Sequence, residues 1–181
     1  MRILLLGPEC DRPHGEGSSG FHNIRAPLIA LGHEILDVDF WAEFMRAGRD
    51  ELARKVKALV EREQPDLLFH MVSEDELLPD VARYIARETA TLSVAFFSDD
   101  DWRLDHSLGV IPHYNFGLTT AHQAVPLFRQ AGFTNVILTH YAANPGLYHP
   151  IEAVTKTYDV TFVGQAYRGR PELVQWLKEL G

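Results

Sequence analysis

The sequence is poor in cysteine, in basic charge and in long apolar runs, and each shortage excludes a class of protein. Its single cysteine, Cys10, cannot form an internal disulfide, which favours a reducing compartment such as the cytoplasm. The 17 Lys and Arg are outnumbered by 25 Asp and Glu, so a nucleic-acid partner is not expected. The apolar N-terminal run MRILLLG is too short for a signal peptide or a membrane span. We therefore expect a cytoplasmic protein that does not span a membrane.

Short apolar runs alternate with helical patterns along most of the chain. The pattern predicts strands at 3–6, 34–40, 67–72, 92–97, 116–119 and 135–138. It predicts helices at 21–31, 48–63, 73–88 and 120–132, where Pro79 inside the third indicates a later start or a kink. Parallel strands need such crossover helices. The sequence thus predicts an α/β fold with a Rossmann-like parallel sheet and helices on both faces over residues 1–140.

The alternation stops in residues 141–157, where two prolines and a glycine lie in a stretch without periodicity, as in a linker. A strand at 160–163 and a helix opened by Pro171 follow. One strand and one helix cannot build a core. We therefore expect residues 158–181 to begin a second domain and not to join the first sheet as an interior strand.

A glycine-rich loop, GPECDRPHGEGSSGF, follows the first predicted strand and precedes the first helix. Glycines permit close approach of a ligand, and a helix N-terminus favours a phosphate. The candidate substrate-binding residues here are Gly15, Gly17, Ser18, Ser19 and Gly20. The spacing does not match a dinucleotide fingerprint, and a surface loop without a ligand is the alternative.

An acidic segment, SDDDW, follows the fourth predicted strand, and ligands of open parallel sheets bind at the carboxyl ends of strands. Asp99 and Asp100 are the candidate catalytic residues, because a carboxylate can bind a sugar hydroxyl or act as a general base. Trp102 is a candidate for stacking on a sugar ring. The alternatives are a solvated acidic turn or helix cap, with Trp102 in ordinary packing.

Nine histidines are present, but neither HExxH nor an i, i+4 pair occurs, so we predict no metal site. His70 ends the third predicted strand and is a candidate substrate-binding residue; a surface or core histidine is the alternative. His14, His22 and His140 are candidates by topology alone.

Three segments resemble CgeB-like glycosyltransferases, a group with the GT-B fold. They are LSVAFFSDDDWR, then NFGLTTAHQAVPLFRQAGFTNVILTHYAANPGLYHP, and YDVTFVGQAYRGRPELVQWLKELG. The hinge of that family has the form AADPxxFxP, whereas this sequence reads AANPGLYHP, with Asn144 in place of Asp and Tyr148 in place of Phe.

The resemblance implies two facing Rossmann-like domains, the first mainly for the acceptor and the second for the nucleotide-sugar donor. Residues 1–140 would be the acceptor-side domain, 141–157 the linker, and 158–181 the first strand and helix of a truncated donor-binding domain. The implied activity is transfer of a sugar from a nucleotide sugar to an unknown acceptor, without a cofactor, and the isolated chain is expected to be inactive. The glycine-rich loop would lie near the donor phosphates. The alternative is a non-catalytic α/β ligand-binding module, and self-association stays open for both.

Overall fold

The structure, a computed structural model, describes residues 1–9, 17–74, 76–141, 143–151, 155, 157–164 and 166–179. The chain divides into two compact units, Met1–Tyr148 and His149–Gly181.

The first unit contains a six-stranded, all-parallel sheet in the order β2-β1-β3-β4-β5-β6, which confirms the predicted fold class. The strands are β1 (Arg2–Gly7), β2 (Glu34–Asp39), β3 (Leu67–Val72), β4 (Leu92–Phe97), β5 (Phe116–Thr119) and β6 (Val136–Leu138). In register, Leu4 pairs with Leu36 on one side and Leu68 on the other, so these three side chains share a face.

Helices connect successive strands of the sheet. They are α1 (Ala26–Ala30), α2 (Phe40–Ala47), α3 (Arg49–Glu63), α4 (Pro79–Glu88), α5 (Asp100–Val110) and α6 (Ala124–Gln130). A π-helical turn, Phe21–Arg25, leads into α1, and a 3-10 turn, Ile111–His113, follows α5. Gly32, with φ +83°, lies just beyond the end of α1, a conformation that favours glycine.

The main hydrophobic core lies on one face of the sheet, which we call the covered face. Buried side chains of α3, α4 and α6 pack there against β1, β3 and β4, and Phe40 at the start of α2 and Leu104 of α5 join them. The strand order explains this arrangement. After β2 every crossover runs in the same direction, so right-handed connections place all their helices on one side.

The opposite face, which we call the open face, carries the π-helical turn and α1 over β1 and β2. There Leu5 of β1 lies beside Phe21 and Arg25, and Arg25 Nε contacts Asp37 Oδ2 of β2 at 2.6 Å. Further along the sheet the same face is less protected, and Leu92, Phe116 and Ile137 are exposed. The continuous apolar strands predicted burial on both sides; the structure shows it for β1 but only in part for β3 to β6.

Two helices of the first unit were not predicted. The segment of α2 was assigned in part to the preceding strand, but Asp39 Oδ1 accepts the Ala42 N–H at 3.1 Å and starts a helix there. Helix α5 begins with the acidic run itself, where carboxylates favour a helix N-terminus. Helix α4 starts at Pro79, as the prolyl residue in the predicted helix indicated.

The second unit contains one described helix, α7 (Arg170–Glu179), as predicted from Pro171 onward. The predicted strand at 160–163 is wrong, because these residues have no strand structure. Apolar residues alone do not make a strand; it needs a neighbour for its backbone hydrogen bonds. None of the described helices is long and apolar enough to cross a membrane.

Candidate ligand-binding cleft

A cleft of about 380 Å³ opens on the open face, at the carboxyl edge of the sheet. This edge is where parallel α/β sheets bind ligands, and the volume lies in the usual range of ligand pockets, about 300–1,000 Å³. The lining residues are Ser19, Gly20, Asn23, Ile24, Phe69, Met71, Phe96, Ser98, Asp99, Leu118, Thr139, His140 and Tyr141. They come from the loop after β1, from the π-helical turn, from β3, β4 and β5, and from the segments after β4 and β6.

The floor of the cleft is apolar and partly aromatic. Phe69 and Phe96 stack with ring centroids 6.0 Å apart and an interplanar angle of 27°. Tyr141 meets Phe96 edge-on, at 6.4 Å and 82°. Met71 and Leu118 complete the floor. These side chains give the floor a flat apolar surface on which the ring of a ligand can stack.

Asp99 lies at the rim of this floor and is half-buried. It is the N-cap residue of α5, but its side chain makes no capping hydrogen bond. Its main-chain oxygen accepts from Trp102 N at 3.1 Å and Arg103 N at 3.0 Å, and Ser98 Oγ is 3.4 Å from its Oδ2. The backbone of Asp99 therefore starts the helix without its side chain, and the residue is among those that line the cleft.

Asp100, the second predicted catalytic residue, points elsewhere. It is buried, its Oδ2 accepts a hydrogen bond from Thr119 Oγ1, and it does not line the cleft. The contact links the start of α5 to the end of β5 and so fixes the position of the helix start. Trp102 is 70% exposed, lies under the Arg103 guanidinium and also does not line the cleft.

The described end of the glycine-rich loop is divided between structural and cleft-lining residues. Ser18 is buried; its Oγ donates to Pro8 O at 2.5 Å and accepts from Phe21 N at 3.0 Å. One N–H of the helix start is therefore already satisfied within the protein. Gly17 is packed so closely that a Cβ there would lie 2.8 Å from the Phe21 ring. Gly15 and His14 lie outside the described residues.

Ser19 and Gly20 are the loop residues that line the cleft. Ser19 is exposed, whereas Gly20 is buried against β3. A Cβ at Gly20 would lie 2.6 Å from both Sδ and Cε of Met71. Glycine at this position therefore lets the helix start approach the methionine that forms part of the floor.

His70 lies on the covered face, not in the cleft. It is 2% exposed, its Nδ1 shares a 2.6 Å hydrogen bond with Tyr114 Oη, and its ring meets Phe40 edge-on. Its Nε2 is 3.7 Å from Glu76 Oε2, too long for a direct hydrogen bond. Burial alone would raise the pKa of Glu76, but the nearby His70 imidazole and hydrogen bonds from the backbone of Glu74 and Glu76 together hold the pKa below its usual range.

A separate cavity of about 270 Å³ adjoins His70 and Tyr114 between β3, α4 and α5. His106 and His113 also line it. Among the residues that the structure describes, no group of three or more His, Cys, Asp or Glu could hold a metal ion. The histidines gathered here therefore give no support to a metal site.

The segment after β6 contributes residues that sequence reasoning did not select. Tyr141 Oη donates to Ser98 O. Asn144 N donates to Asn23 Oδ1 and Asn144 Nδ2 donates to His22 O, both at 2.9 Å. The first part of the predicted linker is thus fixed to the π-helical turn. The asparagine at position 144, where the resembling hinge has an aspartate, was the available signal, since an amide can donate to a carbonyl and a carboxylate cannot.

A smaller cavity of about 80 Å³ lies between the ends of β1 and β2 and the π-helical turn. Two of its three acidic lining residues are engaged within the protein, because Asp37 pairs with Arg25 and Asp39 caps α2. The volume is far below that of a usual ligand pocket. The part of this cavity that the described residues line is therefore too small for a nucleotide.

No protein-family model matches the sequence, and no curated protein matches it significantly. The function is therefore inferred from the cleft and from the resemblance described above.

Proposed function

We propose that this chain is the acceptor-binding half of a GT-B-type glycosyltransferase, and that the cleft on the open face holds the acceptor. The observation that carries the proposal is the meeting of Ser19, Gly20 and Asp99 in one cleft. These residues come from two loops far apart in sequence, and only the parallel sheet, whose strands all end at one edge, brings the loops together.

Asp99 is the group proposed to act in the chemistry. It is the only carboxylate among the described residues that line the cleft. In the reaction, the acceptor O–H bond breaks and its proton passes to the Asp99 carboxylate. The acceptor oxygen then forms a bond to the anomeric carbon, while the bond from that carbon to the phosphate oxygen breaks and its electrons leave with the nucleotide. Asp100 is proposed to position α5, and with it Asp99, through Thr119.

The donor is proposed to be held by the second domain, whose beginning would be residues 158–181. The size of the cavity at the ends of β1 and β2, about 80 Å³, supports this division of labour. As lined by the described residues, which omit 10–16, the usual nucleotide position of a Rossmann fold has too little room for a nucleotide. We therefore expect the 181-residue chain to bind acceptor but to bind a nucleotide sugar weakly or not at all.

Calorimetric titration of the chain with hydroxylated acceptors and with nucleotide sugars tests the proposal. The variant is Asp99→Asn and its matched control is Asp101→Asn. Asp101 belongs to the same helix start but is exposed, accepts from Gln123 and does not line the cleft. A hydrogen bond to a charged group is worth about 1.5–3 kcal/mol and one to a neutral group about 0.5–1.5 kcal/mol. Because the asparagine oxygen still accepts, Asp99→Asn should weaken acceptor binding by roughly five- to tenfold, and Asp101→Asn should leave it unchanged.

Two results would count against the proposal. Tight nucleotide-sugar binding by this chain would contradict the division between the two domains. Acceptor binding that is the same in Asp99→Asn as in the wild type would remove the carboxylate from the site, and would favour the non-catalytic binding module.

A further inference from the structure

We propose that the acceptor is an uncharged hydroxylated aromatic compound, a phenol, whose ring lies on the Phe69–Phe96 pair and whose hydroxyl faces Asp99. This inference rests on the proposed function and adds the substrate class. Three features of the cleft support it: the apolar floor, the charge of the lining residues and the position of Asp99.

The floor fits a flat ring better than a sugar or a peptide. A sugar or a peptide brings many polar groups, and each group buried without a partner costs about 1–3 kcal/mol. The side chains of Phe69, Met71, Phe96 and Leu118 offer few such partners. An aromatic ring loses no hydrogen bonds there and gains stacking with the phenyl rings.

The charge of the cleft disfavours an anionic acceptor. No lysine or arginine is among the described residues that line it, and Asp99 would repel a phosphate or carboxylate. The polar side chains instead form a rim around the apolar floor. The ligand that matches this arrangement has an apolar body and one hydroxyl at its edge.

The chemistry of Asp99 points in the same direction. A carboxylate is a weak base, and a phenol with a pKa of about 10 gives up its proton far more readily than an aliphatic alcohol. The phenol O–H bond breaks toward Asp99, the phenol oxygen bonds to the anomeric carbon, and the donor's carbon–oxygen bond breaks with release of the nucleoside diphosphate. The products are an aryl glycoside, the free nucleotide and a protonated Asp99.

The test is fluorescence and calorimetric titration of the 181-residue chain with 2-naphthol, 2-methoxynaphthalene, 1-octanol and glucose. We expect 2-naphthol to bind more tightly than the other three compounds. Asp99→Asn should weaken 2-naphthol but not the methyl ether, which has no hydroxyl proton to share. Phe69→Leu should weaken both aromatic compounds by roughly two- to tenfold.

Phe116→Leu is the matched control, because Phe116 lies on the same face of the sheet, in β5, but does not line the cleft. It should leave every affinity unchanged. Circular dichroism establishes that each variant is folded. If Phe69→Leu does not fold, the comparison of 2-naphthol with its methyl ether tests the inference on the wild-type chain.

The outcomes separate this inference from the proposed function. If glucose or 1-octanol binds more tightly than 2-naphthol and depends on Asp99, the aromatic acceptor is wrong while the acceptor site stands. If no hydroxylated compound binds in an Asp99-dependent way, both fail. If sedimentation shows a dimer and 2-naphthol does not bind, the cleft is an interface between copies and the inference is overturned.

Discussion

Replacing Tyr114 with phenylalanine removes a single hydroxyl group but should clearly lower the free energy of unfolding of the first unit, because it leaves a buried polar atom without a partner. Tyr114 is buried, and burial raises the pKa of its hydroxyl, so the phenol stays protonated and can hydrogen-bond to His70 Nδ1. The other ring nitrogen of His70, Nε2, makes no hydrogen bond to any described residue. In Tyr114→Phe both ring nitrogens would therefore be buried without a hydrogen bond.

The expected cost follows from this loss. Leaving one buried polar atom without a partner costs about 1–3 kcal/mol, whereas the hydrogen bond itself has a smaller net value. For a chain of 181 residues, 1 kcal/mol corresponds to about 2–4 °C in melting temperature. We therefore expect Tyr114→Phe to lower the melting temperature by roughly 2–12 °C.

Urea and thermal unfolding, followed by circular dichroism, measure this effect. Tyr84→Phe is the matched control, since the Tyr84 hydroxyl donates to Glu61 Oε1 at 3.0 Å on the protein surface, where water can replace the lost partner. The control should change stability by less than about 0.5 kcal/mol. If the two variants unfold at the same urea concentration, the buried contact between Tyr114 and His70 contributes nothing and the reasoning is refuted.

Three further changes test other contacts. The pKa of Glu76 is lowered, so its carboxylate stabilises the fold at pH values above the usual glutamate pKa of about 4.3 and loses this effect as the pH falls below it. The difference in the free energy of unfolding between wild type and Glu76→Gln, measured in urea titrations, should therefore shrink in acid. A difference that stays constant would contradict the lowered pKa of Glu76. Gly20→Ala should push the Met71 side chain into the cleft and weaken ligand binding in calorimetry. The stability loss should be about 1 kcal/mol, the lower end of the cost of overpacking, because the crowded atoms are the far end of a flexible side chain. Unchanged affinity would show that Met71 moves elsewhere. Asn144→Asp replaces an amide that donates to His22 O with a carboxylate oxygen that repels it. Hydrogen exchange of the backbone amides in residues 143–148 should therefore become faster. Unaltered exchange would show that this contact does not fix the linker.

The strands that sequence reasoning placed best are those with a compact apolar run between turn signals. The bounds of β3, β4 and β5 coincide with the predicted ranges. Each run is short and flanked on both sides by Asp, Ser, Thr or Asn, so the local sequence signal agrees with the position of the strand in the fold. By contrast, α5 starts in an acidic run that also fits a surface turn, and its amphipathic pattern is weak. The sequence therefore did not distinguish a helix from a surface turn in this segment.

The edge of the sheet that carries the cleft was predictable, but the direction of single side chains was not. Parallel strands end at a common edge, which was enough to bring the acidic loop near the glycine-rich loop. Neighbouring residues of a strand, however, point to opposite faces. His70 enters the core while Met71 lines the cleft. Which face is open depends on where the helices pack, and the sequence does not state the strand order.

The strand order also explains why the cleft has an apolar floor. Within the first unit only the connection from β1 to β2 runs toward one edge of the sheet, so among its described residues a single helical segment, the π-helical turn with α1, lies on the open face. It protects β1 and β2 but stops short of the later strands, where Phe69 of β3 and Leu118 of β5 are left half-buried. The segment after β6 then returns across the edge of this surface and is fixed at Asn144. The fold thus leaves an apolar surface between two fixed borders, and Asp99 stands where that surface meets the ends of the strands.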